Sequence, residues 1–287
     1  MSPAAADSIT VEGRSIRITH VDRVLYPEDQ VRKADVISYY VQVSARLLPH
    51  LRQRPVTRIR WPGGVEGESF YERNLPSHAP AWIKRVVLDH SDGPVTYPLI
   101  DSQATLAWVA QQNALELHVP QWRLHGSDRK IDRLVLDLDP GPGTGLTECA
   151  EVAVWLRDQL AADGLPSVPV TSGSKGLHLY SRWPPKKTST DSREYAKKLA
   201  AAAVSAMPNL VTATMAKQLR RGKLLIDWSQ NNPAKTTVTP YSLRGRTHPW
   251  VAAPREWSDV EQPGLAQLTM TDMLAQPADS DPMAALD

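Results

Sequence analysis

With 287 residues, 41% of them apolar, the chain is long enough for one large domain or two closely packed lobes around a substantial core. Its 33 Lys and Arg against 31 Asp and Glu leave a net charge of +2, which excludes a globally basic binder, so any site for a polyanion has to be a local patch. A single cysteine, Cys149, excludes an intramolecular disulfide and a cysteine-built zinc site, and fits a reducing cytoplasm.

Residues 1–15 are small and polar and are expected to be disordered. They lack the basic and apolar regions of an export signal. No window approaches the roughly 18 apolar residues that span a bilayer, so a soluble, cytoplasmic chain with no membrane partner is expected. A short strand is predicted near Ser15–Thr19, followed by a turn at VLYP. In KADVISYYVQVSARLLPHL, residues Val36, Ile37, Tyr40, Val43, Leu47 and Leu48 recur at i, i+3/i+4, the spacing of one helix with a single apolar face. PVTRIRWP alternates so that Arg58 and Arg60 share one face of a strand. HSDGPVTYPLI holds a turn between two strand-like runs and reads as a hairpin. SQATLAWVAQQNALELH reads by propensity as a helix that carries His118 at its C-terminal end.

RLVLDLD follows as a buried strand, and Thr147 opens a helix with Cys149, Val152, Ala153, Leu156 and Leu160 on one face, closed by Gly164. VPVTSGSKGLHLYSRW is strand, tight loop, strand. DSREYAKKLAAAAVSAM offers Asp191 as N-cap with Glu194 three residues on. TATMAKQLRRGK leads, as helix or basic loop, into the strand LLIDWSQ. Beyond residue 260 the chain becomes small and acidic and is expected to pack loosely. Short strands and helices without regular βαβ alternation predict an α+β fold, with a boundary between an N-terminal lobe (about 16–132) and a second lobe (133–260) just before Arg133.

The chemistry concentrates at VLDLDPGPGTG. On a strand, Asp137 and Asp139 point the same way, their Cα atoms about 6–7 Å apart, and repel unless protonated or bridged by a cation. Hard divalent ions with oxygen ligands are the usual bridge. Asp227, emerging from LLID, repeats the pattern. An isolated D-x-D is more often a strand end whose acids cap the next turn, so the company these acids keep has to decide. TSGSKGLHLY sets Ser172, Ser174 and Lys175 in a Gly-flanked loop between strands, able to aim backbone N–H groups, hydroxyls and a point charge at an anion, with His178 at the start of the next strand. Lys235 and the pair Arg244 and Arg246 add further cations suited to a triphosphate. Acids for metal and bases for phosphate together make a balanced site for two-metal nucleotidyl transfer, which needs no protein nucleophile.

These ordered motifs, DLDPG, SGSKGLHLY, IDWSQN, the Lys235 segment and YSLRGRTHP, together with LAWVAQQNALELHVPQW, resemble the polymerase domain of bacterial ligase D. That is the end-joining branch of the archaeo-eukaryotic primase superfamily, and the likeness runs from about residue 16 to 256. The resemblance implies a primase-polymerase core with an RRM-like antiparallel sheet and a second packed α/β lobe. It implies Asp137, Asp139 and Asp227 as ligands of two divalent ions, manganese favoured over magnesium. Ser172, Ser174, Lys175, His178, Lys235, Arg244 and Arg246 would hold the incoming NTP or dNTP, with His118 near its sugar and ribonucleotides preferred. Arg23 and Lys33 fall where the family reads the 5′-phosphate of a DNA break, and Tyr71 beside Phe70 where it stacks on template. The hairpin around 90–98 and the segment 216–223 with Arg220 resemble loops that engage DNA ends. Arg58, Arg60, Lys217, Arg221 and Lys223 could add phosphate contacts, although a surface arginine is by default a solvated one. Gap filling at double-strand breaks, in partnership with a ligase and end-binding repair proteins near the nucleoid, is the expected role. A de novo primase, a non-catalytic DNA-end-binding module and a D-x-D sugar-nucleotide transferase are the alternatives.

Overall fold

The computed structural model describes residues 7–277 and 279–286. They form two compact units, each drawn from more than one stretch of chain. Among the described residues, the first unit takes in 7–119, 238–251 and 269–277, and the second 120–237, 252–268 and 279–286. The divide therefore falls at Pro120 and not before Arg133, and the later chain returns to both units instead of ending as an appendage.

In the first unit, β1 (Asp7–Val11) and β2 (Arg14–Ile18) form a hairpin, with Ile16 and Ile18 of β2 buried. The disordered start expected for residues 1–15 is thus overturned from residue 7 on, while residues 1–6 lie outside the described residues. Strands β3 (Val24–Tyr26) and β4 (Val31–Arg32) lead into the helix predicted over 33–51, which is split into α1 (Lys33–Gln42) and α2 (Ser44–Leu51). The hydrogen-bond ladder carries across Val43, whose N–H reaches the Tyr39 carbonyl and whose own carbonyl accepts from Leu47. Val36, Ile37, Tyr40, Val43 and Leu47 are buried as the periodicity predicts, while Leu48, expected on the same face, is half-buried.

The next elements are β5 (Thr57–Arg60), β6 (Phe70–Glu72), the hairpin of β7 (Arg85–His90) and β8 (Gly93–Pro98), α3 (Gln103–Gln111) and β9 (Ala114–Val119). Here the expected long helix is corrected. Asn113 takes φ +58, a left-handed conformation that asparagine tolerates and a helix does not continue through. The sequence ALELHV then pairs antiparallel with β5, so His118 stands on a strand opposite Thr57.

The second unit opens with the hairpin of β10 (Trp122–His125) and β11 (Asp128–Ile131). Its sheet is built from β12 (Arg133–Pro140), β13 (Ser167–Thr171), β14 (Leu177–Arg182), β15 (Val211–Thr212), β16 (Leu224–Asp227) and the pair Ala253–Pro254. The strand order is β15-β16-β12-β14-β13 and then Ala253–Pro254, antiparallel throughout except for β15 against β16. Helices α4 (Leu146–Ala162) and α5 (Ser189–Ala206) pack against these strands. Leu134, Leu136 and Leu138 share one face of β12 and are fully buried, each contributing about 1.5–3 kcal/mol. Asp137 and Asp139 therefore have to use the other. The N-cap of α5 is Thr188 and not Asp191. Asp191 is the third residue of the helix, its N–H donates to Thr188 Oγ1, and its carboxylate accepts from the Thr188 N–H.

The loosely packed tail is also corrected. The helix Met270–Ala275, capped by a reciprocal Thr269–Asp272 pair, sends Met270 and Met273 into the core of the first unit, and Met283 is buried in the second. Small, acidic composition hid three methionines whose burial compensates the ordering entropy. Met273→Ala is expected to lower unfolding stability by about 2–5 kcal/mol in a urea titration. A loss below about 0.5 kcal/mol means that the tail does not pack there. Among the described residues, no helix is long and apolar enough to cross a membrane.

Candidate catalytic and nucleotide-binding site

Register builds the site. β12 lies between β14 and β16, and Asp137 is the direct partner of His178 on one side and of Asp227 on the other. Directly opposed residues in antiparallel strands project to the same face about 4.5–5.5 Å apart at their Cα atoms, so His178, Asp137 and Asp227 form a row. Asp139 lies two residues further along that face, level with the 172–176 loop that begins where the β14 pairing ends.

Two carboxylates in one cross-strand row repel, and the second unit answers with cations. His178 Nε2 is 3.4 Å from Asp137 Oδ1, and Gln230 Nε2 donates to Asp137 Oδ2 over 3.1 Å. Lys175 Nζ and Arg220 Nη1 stand 3.5 and 3.4 Å from the two oxygens of Asp139. Lys235 Nζ is 3.3 Å from Asp227 Oδ2, while the Ser229 N–H donates to Asp227 Oδ1 over 2.9 Å. Three acids thus face three permanent cations and one histidine. Among the described residues, no group of three His, Cys, Asp or Glu side chains is drawn tightly enough to hold a metal ion as it stands. The donor set nevertheless suits one. It offers only hard carboxylate oxygens, and the three side chains keep 21%, 37% and 15% of their surface exposed.

The 172–176 loop departs from its expected backbone cradle. Ser172 Oγ accepts from the N–H groups of Ser174 and Gly176, the Ser172 N–H donates to the Gly176 carbonyl, and Gln267 clamps the loop from outside. Gln267 Oε1 accepts from the Gly173 N–H over 2.7 Å and its Nε2 donates to the Gly176 carbonyl over 3.1 Å. The amides of 173, 174 and 176 are consumed internally, so Ser172 braces the loop and Lys175, 65% exposed, is the group offered outward. The glycines are required by close approach. A Cβ on Gly176 would stand 2.2 Å from the Leu138 carbonyl oxygen, and one on Gly141 would stand 1.9 Å from that of Arg220.

Ser229, Gln230 and Gln267 escaped the sequence reading. Ser229, two residues after an aspartate, carries the signature of a turn in which the acid accepts from the following backbone. Gln267 carries no local signal, because it meets its loop across more than 90 residues of chain.

Of the remaining predicted residues, those of the 216–223 segment lie in the second unit and the others in the first. Lys33 is buried, its Nζ donates to the Thr19 carbonyl over 2.7 Å, and its backbone N–H donates to the Arg23 carbonyl, which brings these two cations together. Burial, followed by the charges of Arg23 and Arg60, lowers the Lys33 ammonium to about 8. Arg58 has no exposed surface and donates to the Asn74 carbonyl, so it is a core residue and no phosphate contact. Arg60 is tied to Glu72 at 2.6 Å. Phe70 and Tyr71 are 42% and 61% exposed on β6. Arg220 and Lys223 are held in the loop before β16, and the Lys217 side chain lies outside the described residues. His118 and Arg244 meet at a residue not singled out from the sequence, Glu116, whose carboxylate takes His118 Nε2 at 2.7 Å, Arg244 Nε at 3.2 Å and the Gly245 N–H at 3.0 Å. Burial would raise the Glu116 carboxyl. The His118 hydrogen bond, Arg244 and Gly245 outweigh that and hold it at about 2. Arg246 is exposed.

A family model described as "LigD, primase-polymerase domain" matches residues 32–283. The multifunctional non-homologous end joining DNA repair protein LigD of Mycobacterium tuberculosis is 49% identical over 280 residues, which is 95% of this chain and 37% of that protein. The bifunctional non-homologous end joining protein LigD of Bacillus subtilis is 33% identical over 247 residues, 86% of this chain and 39% of that protein. The chain thus spans little more than a third of these relatives. Among solved structures, the polymerase domain of Mycobacterium tuberculosis ligase D in complex with DNA superposes with a TM-score of 0.91 at 48% identity, covering 94% of this chain and 97% of that one.

Proposed function

The chain belongs to the LigD primase-polymerase domain family, nucleotidyltransferases of non-homologous end joining, and on that premise we propose that it adds nucleotides to the 3′ end of a broken or gapped DNA opposite a template. The observation that carries this is the row of Asp137 and Asp227, with Asp139 beside it, on one face of two adjacent strands, β12 and β16, with Lys175, Arg220 and Lys235 against them. Asp137, Asp139 and Asp227 would hold two divalent ions, manganese favoured and magnesium the alternative. Such ions, when bound, supply Lewis-acid polarisation of phosphate oxygens and a lowered pKa for an attacking hydroxyl.

The residues of this chain do the rest. Lys175 and Arg220 stand against Asp139, and Lys235 against Asp227. With ions held by those three acids, Lys175, Arg220 and Lys235 would be the side chains at hand for the phosphates of a nucleotide. His178 donates from the central row, and Ser172 with Gln267 holds the loop that presents Ser174 and Lys175. His118, Arg244 and Arg246 are the proposed nucleotide contacts of the first unit, with Phe70 and Tyr71 for template stacking. The test is single-nucleotide incorporation on a gapped duplex supplied with manganese or magnesium. Incorporation dictated by the templating base supports the reading, whereas turnover of a sugar nucleotide or extension without a template defeats it.

Arg23 and Lys33 are proposed to read the 5′-phosphate of the downstream strand. With Lys33 titrating at about 8, its charge is full below that pH and lost above it. The affinity advantage of a 5′-phosphorylated gap over an unphosphorylated one should therefore shrink between pH 7 and pH 9. It should disappear at both pH values in the Arg23→Ala, Lys33→Ala double variant. Fluorescence anisotropy measures the ratio, and an advantage that survives in the double variant removes the assignment.

A further inference from the structure

Glu116 is a buried acid of the first unit with no part in the proposed metal site. It is 3% exposed and lies on β9, and its two oxygens divide their work. Oε2 takes His118 Nε2, while Oε1 takes the Gly245 N–H and the Arg244 guanidinium. A buried carboxylate costs several kcal/mol unless it is paired and hydrogen-bonded, so a residue with no purpose beyond packing would be apolar here. Its surroundings are rigid as well. The Arg244 carbonyl accepts from Tyr26 Oη, and a Cβ on Gly245 would lie 2.1 Å from the Trp61 ring.

We infer that Glu116 is a positioning residue for nucleotide binding: it fixes the tautomer and ring plane of His118 and aims the Arg244 guanidinium, so that both meet the nucleotide preorganised. The inference rests on the proposed nucleotide role of His118 and Arg244. The ring chemistry follows directly. A carboxylate at Nε2 can only accept, so Nε2 carries the proton, and in the neutral ring Nδ1 is left as an acceptor for a hydroxyl. A histidine turned by this carboxylate offers a lone pair, where a free one would sample both tautomers and many rotamers.

Two measurements decide it. In primer extension, Glu116→Gln keeps size and shape but loses the charge. It should raise the KM for the incoming nucleotide at least tenfold, change kcat by less, and leave the affinity for gapped DNA unaltered. Glu116→Asp should recover part of the loss. A KM within twofold of the parent, in a variant with unchanged circular dichroism, overturns the inference. The second readout is the nitrogen spectrum of histidine-labelled parent protein, which needs no variant to fold and no turnover. Nε2–H is expected for His118, and Nδ1–H overturns the inference outright. If the parent incorporates no nucleotide at all, the polymerase reading fails, while the spectrum still decides whether Glu116 sets the ring.

Discussion

Asp139→Ala is expected to reduce templated nucleotide incorporation by at least about 10³-fold, a loss of roughly 4 kcal/mol of transition-state stabilisation, with binding of gapped DNA retained. The size follows from what the carboxylate would do. Removing one oxygen donor from a hard divalent centre takes away charge that no neighbour replaces, because the groups nearest Asp139 are Lys175 and Arg220, both of the wrong sign. Stability should barely move. Asp139 is 37% exposed and its pairs with Lys175 and Arg220 are solvent-screened, so their removal should cost about 0–1 kcal/mol. The separation of the two readouts is the point of the experiment. Steady-state extension in manganese and in magnesium gives the rate, and a thermal melt gives the stability. Full activity in the variant would remove the metal-site reading, and a collapsed melt would show that the acid is structural. Asp227→Ala is the harsher control, because Asp227 also accepts from the Ser229 backbone and its loss unties the turn after β16.

How much of this was legible in the sequence depends on the distance over which the information acts. Strand β12 and its alternation followed from RLVLDLD alone, because side chains alternate whatever the partners are, and the pairing of Asp137 with Asp139 on one face was therefore readable. That Asp227 lies directly opposite Asp137 was not readable, since register is fixed by the packing of whole strands. Helix α3 was right until Asn113, where a single left-handed residue converted the rest of the predicted helix into the strand that carries Glu116 and His118. Glu116 itself gave no signal, as a glutamate in a helix-like run reads as solvated surface. The basic residues show the same limit in reverse. Arg58 looked like a phosphate contact and is wholly interior, while Lys175 kept its exposure. Residue type announced the chemistry, and only tertiary placement separated a cation held by the core from one offered outward.

Gly176→Ala should be among the most damaging small substitutions in the second unit. The added methyl would sit 2.2 Å from the Leu138 carbonyl oxygen and 3.2 Å from Pro140 Cδ, far inside contact distance. The obstructing atom is main chain, on the strand that carries Asp137 and Asp139, so no side-chain rotation relieves it. Nor can the loop swing outward freely, because its amides are bound to Ser172 Oγ and to Gln267 and the Gly176 carbonyl accepts twice. Retreat breaks hydrogen bonds worth about 1 kcal/mol each, and staying put forces strain of about 1–3 kcal/mol. Either way a loss of about 2–4 kcal/mol in urea unfolding is expected. Nucleotide KM should rise at least tenfold, because Lys175 and His178 flank the displaced residue on either side. Gly63→Ala is the matched control: nothing lies within 4 Å of its added methyl, so it should fall within about 0.5 kcal/mol of the parent. If Gly176→Ala behaves like Gly63→Ala in both assays, the loop does not ride against β12, and the geometry that presents Lys175 to phosphate has to be abandoned.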